Sequence, residues 1–226
     1  MTTIGAVSAQ NLASPTTSAM NDKDSQETFI IAQATDADIE GILQLQAKNL
    51  PKNISKEEAE SQGFVTIQHD FDVLQRMNSP HPHVVAKEPD TQKVIGYALV
   101  MLPEFRHDIP AGAPLVDQID TVVYEGDRLG EEDRNSKTKK YVLVGQLCVA
   151  KEYRGQGISS AMYREYQRRM APHFRYVVTA VDLRNTRSMR AHEKVGFQVV
   201  HRFGGATDAS AEWAIMLFPT TKNKRR

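Results

Sequence analysis

Leu147-Cys148-Val149-Ala150-Lys151-Glu152-Tyr153-Arg154-Gly155-Gln156-Gly157-Ile158-Ser159-Ser160 is the stretch on which the fold turns. The apolar run Tyr141 to Val149 reads as a strong strand, and Ile158 to Met170 as a helix with Ile158, Ala161, Met162, Tyr166 and Met170 on one side. Gly155 and Gly157 lie in the step between them. Glycine reaches positive φ and lets a ligand approach without meeting a Cβ. The helix behind offers unpaired N–H groups and the positive end of its dipole, a combination suited to a pyrophosphate. Arg154, and at longer reach Arg164, add positive charge; Ser159 and Ser160 add hydroxyl donors. Taken alone, the pattern fits a ligand-free strand-to-helix turn equally well. No G-K-[ST] follows, so it is not a Walker loop, and the third glycine of a Rossmann fingerprint would be Ala161.

Outward from the turn, Tyr176 to Val181 reads as a strand and Asn185 to Lys194 as a helix stopped by Gly196. Gln198 to Phe203 and Ala211 to Phe218 read as an antiparallel pair. Upstream, Thr28 to Ile31 is a short strand, and Thr35 an N-cap for a helix carrying Ile39, Ile42, Leu43, Ala47 and Leu50. Ser55 and Glu58 form a capping-box pattern, with Gly63 closing that helix. Asp70 caps a further turn with Phe71, Leu74 and Met77 inward. Val84 to Lys87 and Val94 to Met101 flank Pro89-Asp90 and should form a hairpin. Residues 102–140 read as an insert, with Leu115, Ile119, Val122 and Val123 on a helix face and a charge-dense exposed loop from Glu131 to Lys140. The order predicts an α/β fold, a single mixed, mostly antiparallel sheet flanked by helices, in one domain over residues 27–219.

The stretch L-C-V-A-K-E-Y-R-G-Q-G-I-S-S resembles the acetyl-CoA motif of the GNAT superfamily of N-acyltransferases, [RQ]-x-x-G-x-[GA], through Arg154, Gly157 and, less closely, Ser159. N-T-R-S-M-R-A-H-E-K-V-G-F, Asn185 to Phe197, resembles the family's second helix motif. The resemblance is sharpest over residues 141–203. It implies a bulged strand splayed from its neighbour, with acetyl-CoA between the two. Leu147, Cys148 and Val149 would then present backbone groups to the pantetheine arm. Arg154, Gly155, Gln156, Gly157, Ile158, Ser159 and Ser160 would take the pyrophosphate, and Asn185 would order the cofactor near its thiol. A backbone N–H near Val149 would polarise the thioester carbonyl, a contribution of roughly 3–4 kcal/mol in such sites. His192 stands where many relatives carry a tyrosine that protonates the leaving thiolate; the alternative is a histidine that fills the helix face.

Where many relatives place a basic Glu or His on the bulged strand, this chain has only Gln146. Asp117, Asp120, Tyr124 and Glu125 are candidates from the insert. Cys148, mid-strand with no designated histidine, reads as a packing cysteine rather than a nucleophile. His81-Pro82-His83 reads as a solvated loop, and no metal site is expected.

The 226 residues are 40% hydrophobic and 25% charged, and 28 basic side chains balance 28 acidic ones, which gives no electrostatic case for nucleic acid. One cysteine excludes an internal disulfide and fits a reducing compartment. No apolar run is long enough to span a membrane. Residues 1–26 read as a disordered tail, with an organelle address left open, and 220–226 as a solvated basic tail. The expectation is a cytoplasmic acetyl-CoA-dependent N-acetyltransferase acting on a small-molecule amine or amino acid, with a homodimer as family habit. A peptide N-acetyltransferase and a catalytically idle acyl-CoA-binding module are the alternatives. Residues 36–78 and 102–140 should build the acceptor side.

Overall fold

Every residue of Val94–Met101 is buried, which requires a strand covered on both faces. The computed structural model describes residues 28–133, 139–204 and 211–220, and this strand lies near the middle of its seven-stranded sheet. The tail read at 1–26, part of the 131–140 loop and residues 221–226 lie outside the described residues.

The strands are β1 (Ile30–Gln33), β2 (Val84–Lys87), β3 (Val94–Met101), β4 (Val123–Tyr124), β5 (Asp127–Arg128), β6 (Tyr141–Val149), β7 (Tyr176–Asp182), β8 (Gln198–Gly204) and β9 (Glu212–Pro219). The main sheet runs β1-β2-β3-β6-β7-β9-β8, while β4 and β5 form a separate hairpin. All pairings are antiparallel except β6 with β7. The predicted mixed, mostly antiparallel sheet is therefore present.

Helices α1 (Asp36–Lys48), α2 (Lys56–Gln62), α3 (Phe71–Asn78), α4 (Ala113–Thr121), α5 (Ile158–Met170) and α6 (Thr186–Lys194) complete the chain. Local chemistry starts several of them. The Asp38 carboxylate accepts from the Thr35 N–H at 2.8 Å and from its hydroxyl at 2.9 Å. Ser55 Oγ accepts from Glu58 N–H at 3.1 Å, and the Asp70 carboxylate from Val73 N–H at 2.8 Å. Each satisfies a donor that the helix itself cannot.

Ile39, Ile42, Leu74 and Met77 cover one face of the sheet; Ile158, Met162, Tyr163, Tyr166 and Met170 cover the other. Phe71, expected inward, is 39% exposed. It is the first residue of α3, and Val73, Leu74 and Met77 define the face that meets the core. Val123, expected on a helix face, is 63% exposed and lies in β4.

The insert packs at the far end of β6 and β7. Tyr141 donates to Asp120 at 2.8 Å, and Arg106 pairs with Asp117 and Asp120, each at 2.6 Å. Lys140, placed by its sequence at the end of an exposed loop, is 6% exposed and reaches Asp127 at 3.2 Å and Glu131 at 3.3 Å. Among the described residues, no helix is long and apolar enough to cross a membrane.

Candidate active site

Strands β6 and β7 pair in parallel only over Tyr141–Leu143 and Tyr176–Val178. Beyond that point β7 keeps its pairing with β9 while β6 keeps its pairing with β3, so the two part. Thr179 Oγ1 donates to Val144 O at 3.2 Å and closes the first open rung. Past it lies a groove of about 320 Å³, lined on one side by Gly145 to Val149 and on the other by Thr179 to Asp182.

A bulge sets what faces this groove. Ala98 pairs with Leu147 but Val100 with Val144, so β6 carries one extra residue between those points. One residue out of register exchanges the two faces of a strand. Before the bulge Val142 and Val144 face α5; after it Leu147 and Val149 do, while Gln146 and Cys148 turn to the α1 side. Ala150 N–H donates to Ile95 O at 2.8 Å. By antiparallel alternation Cys148 is then the residue bonded to β3, and the N–H and C=O of Leu147 and Val149 point into the splay. Cys148 was expected to present its backbone groups there as well. The alternation of the ladder denies it that role, although the residue still lines the groove. Burial pushes its thiol up to about 12, against the pull of Arg154, which keeps it protonated and unreactive.

Gly155 and Gly157 both sit at φ +84, and a Cβ built on either meets nothing within 4 Å. Glycine is required here for the left-handed backbone, and the space a side chain would fill is open. Gly157 is the N-cap of α5, and Ala161 N–H makes the first helical bond, to Gly157 O at 3.0 Å. The amides of Ile158, Ser159 and Ser160 therefore precede the helical ladder and open on the turn. Gly155, Gly157, Ile158, Ser159 and Ser160 all line the groove. Gln156 is exposed beside them, its side chain reaching Glu152 O at 3.5 Å. Arg154 lines the groove as well, but its guanidinium bonds protein oxygens. Its Nε donates to Val149 O at 3.1 Å, and one Nη donates to Asn49 Oδ1 at 2.6 Å.

Across the splay, Asn185 caps α6 by accepting from Ser188 N–H at 3.1 Å. Two turns on from Asn185, His192 lines the groove but is only 5% exposed. Its Nδ1 lies 2.7 Å from Ser188 O, an oxygen that can only accept, so Nδ1 carries the hydrogen. Nε2 is then the acceptor for the hydroxyl of Tyr163. Burial pulls His192 down to about 4, so the ring is neutral near pH 7. Burial likewise raises the Tyr163 hydroxyl above the ordinary tyrosine range. Tyr163 is a groove residue that the sequence reading passed over; its spacing to Tyr166 and Met170, i, i+3 and i+7, was the available signal.

Gln146 stands at the bulge in a closed network. Its Oε1 accepts from Tyr97 at 2.6 Å and from Gln46 at 2.9 Å, and its Nε2 donates to Ile67 O at 2.8 Å. Gln46 also bonds His69 Nδ1 at 2.9 Å and accepts from His69 N–H at 2.8 Å. Burial draws His69 to about 4. Among the described residues lining the groove there is none from 102–140, so the insert does not build its wall and Asp117, Asp120, Tyr124 and Glu125 stand away from it. Asn49 and Gly63 to Thr66 do line it, as does Trp213. His83, read as part of a solvated loop, is fully buried: it accepts from Val100 N–H at 3.0 Å and donates to Leu74 O at 3.2 Å. Among the described residues no cluster of three or more His, Cys, Asp or Glu could hold a metal.

A sequence model of the acetyltransferase (GNAT) family matches residues 42–197. No curated protein matches the chain. Among solved structures, NAA60 of Arabidopsis thaliana in complex with acetyl-CoA is 18% identical, with a TM-score of 0.56 over 85% of this chain and 99% of that one. The yncA protein of Salmonella typhimurium with acetyl-CoA is 15% identical, TM-score 0.55, covering 87% and 96%. A GCN5-related N-acetyltransferase from Kribbella flavida is 18% identical, TM-score 0.54, covering 85% and 98%. At these identities the likeness is one of fold.

Proposed function

The chain belongs to the GNAT family of acetyltransferases, and on that premise we propose that it transfers the acetyl group of acetyl-CoA to the primary amine of a small molecule or amino acid. The observation that carries the reading is the splay itself. The edge groups of Leu147 and the N–H of Val149 face the splay, which runs into a glycine turn with open amides at Ile158 to Ser160, while Val149 C=O is taken by Arg154. A pantetheine arm is a short chain of amides, and an unpaired strand edge is the surface that bonds one. A diphosphate fits the turn and the helix N-terminus behind it.

When bound, acetyl-CoA supplies an activated thioester. Val149 N–H, aimed into the splay, is the donor for its carbonyl oxygen. Asn185 and the start of α6 border the same space. For the proton required by the departing sulfur we propose the Tyr163–His192 pair. In this reading the Tyr163 hydroxyl turns its hydrogen from His192 Nε2 to the departing sulfur as the proton lost by the attacking nitrogen replaces it, and the neutral His192 ring, with almost no imidazolium near pH 7, holds the hydroxyl in place before transfer. The close approach of the 63–66 segment to α6 supports a small acceptor. A Cβ on Gly63 would come within 2.7 Å of Asn185 Oδ1, so the covering segment and α6 already meet at the mouth.

The test is a CoA-release assay over phenethylamine, spermidine, free amino acids and peptides with a free N-terminus. Turnover of small amines at least tenfold above peptides is expected. Faster turnover of peptides would replace the acceptor class. Acetyl-CoA binding with no release across the panel would favour an idle acyl-CoA-binding module.

A further inference from the structure

Arg154 belongs to the sequence pattern that marks the phosphate turn, yet its guanidinium is engaged elsewhere. Nε donates to Val149 O at 3.1 Å, Nη2 to Asn49 Oδ1 at 2.6 Å, and Nη1 lies 3.5 Å from Glu58 Oε1. All three nitrogens therefore face protein oxygens. Glu58 also receives Lys151 Nζ at 2.9 Å, so one carboxylate on α2 bridges both cations that follow β6.

Asn49 relays this anchorage. It is buried at the C-terminus of α1, its Nδ2 donates to Leu45 O at 2.8 Å, and its own carbonyl accepts from Val65 N–H at 3.2 Å. Val65 belongs to the segment Gly63 to Thr66 that lines the groove. Gly63 opens that segment at φ +77, pressed so close to Asn185 that a side chain would collide. The second tie is Gln146 to Ile67 O, from the bulge of the same strand. One anchor of the covering wall thus comes from β6, and the other from Asn49, whose side chain Arg154 holds.

We propose that Arg154 is a positioning residue for the wall that faces the acceptor, and not a ligand to the cofactor's pyrophosphate. Its planar fork holds the end of α1, α2 and the 63–66 segment at a fixed distance from the splay. The word acceptor here rests on the transferase reading above. A fork that bridges Val149 O, Asn49 and Glu58 cannot be replaced by a lysine, whose ammonium is a single point of charge. A phosphate contact, by contrast, survives that exchange in large part.

The test compares Arg154→Lys, Arg154→Gln and Asn49→Ala in two measurements. Hydrogen exchange of the free protein reads the amides of 56–66, and calorimetry reads the affinity for CoA. All three variants should lose at least tenfold of the exchange protection in 56–66 while CoA Kd stays within threefold of wild type. With the panel amine that turns over fastest, acceptor KM should rise about tenfold in Arg154→Lys and KM for acetyl-CoA should hold. Unchanged protection in Asn49→Ala and Arg154→Lys overturns the proposal. So does a loss of CoA affinity above tenfold in Arg154→Gln that Arg154→Lys restores. Wild-type protein that fails to bind CoA would end the cofactor reading instead, and the exchange comparison on the free protein would still decide the role of Arg154.

Discussion

Along the side of the groove that runs from Tyr141 to Lys194, the bulge, the glycine turn and the α6 cap are set by close neighbours in the chain. The bulge lies within β6, the glycines sit at the N-terminus of the helix they open, and Asn185 caps the helix that carries His192. The facing wall is built otherwise. Gln46 reaches Gln146 across 100 positions, and Arg154 reaches Asn49 across 105. One side is written in backbone conformation, the other in side-chain hydrogen bonds between distant segments. A backbone-built site keeps its geometry when one side chain is lost. A side-chain network is lost in part with each member.

The contrast can be broken most severely at the Tyr163–His192 pair, where the side from Tyr141 to Lys194 depends on a contact between two side chains. His192→Ala and Tyr163→Phe should each reduce kcat by about 10²–10³-fold, within the range typical of proton-transfer assistance, with CoA affinity little changed. Because the two share one hydrogen bond, the double variant should lose hardly more than either alone. Multiplicative losses in steady-state kinetics would show that they act separately. Gly157→Val attacks the backbone directly, forcing a β-branched residue into φ +84 and a Cβ into the open space above the turn. Acetyl-CoA should bind about 100-fold more weakly, about 2.8 kcal/mol by calorimetry, and an unchanged Kd would place the cofactor elsewhere.

Gln146→Glu probes the facing wall. The amide that donates to Ile67 O becomes a carboxylate opposite a carbonyl, at a cost of about 1–3 kcal/mol in urea unfolding. CoA affinity should remain, since the edge groups of Leu147 and Val149 are untouched. A parallel loss of CoA binding would mean that the two sides are not built independently. The smallest effect is spread over pH. His69, His83 and His192 are each held near 4 by burial, against an ordinary value of 6.5. Between those values the unfolded chain binds protons that the folded chain does not. Stability should therefore be full above pH 6.5 and fall towards pH 4, by up to about 1.4 kcal/mol per pH unit for each histidine. His83→Gln should flatten that slope by about a third, and an unaltered slope would remove His83 from the account.

The same division explains what could be read from the sequence. The α5 boundaries, Gly196 and the paired final strands follow from apolar period and turn residues, which are local signals. The glycine turn was legible because glycine at two specific positions carries conformational information by itself. That Cys148 is bonded to β3 while its neighbours face the splay was not legible, because it depends on which residue of β6 is doubled at the bulge. The burial of His83 depends on Leu74 and Val100, which meet only in the folded chain. The role of the insert was misjudged for a related reason: mixed charge says nothing about which end of a strand a segment packs against, and here Asp120 and Asp127 tie it to Tyr141 and Tyr176.

Whether the splay and the glycine turn form an acetyl-CoA site is decided by ligand-dependent thermal unfolding. Acetyl-CoA at about 100 times its Kd should stabilise the protein by roughly 2.7 kcal/mol, a rise in Tm of about 5–10 °C, and Gly157→Val should abolish the rise at the same concentration. No shift with acetyl-CoA, or a larger one with ATP or NAD that Gly157→Val leaves intact, would contradict an acetyl-CoA site there.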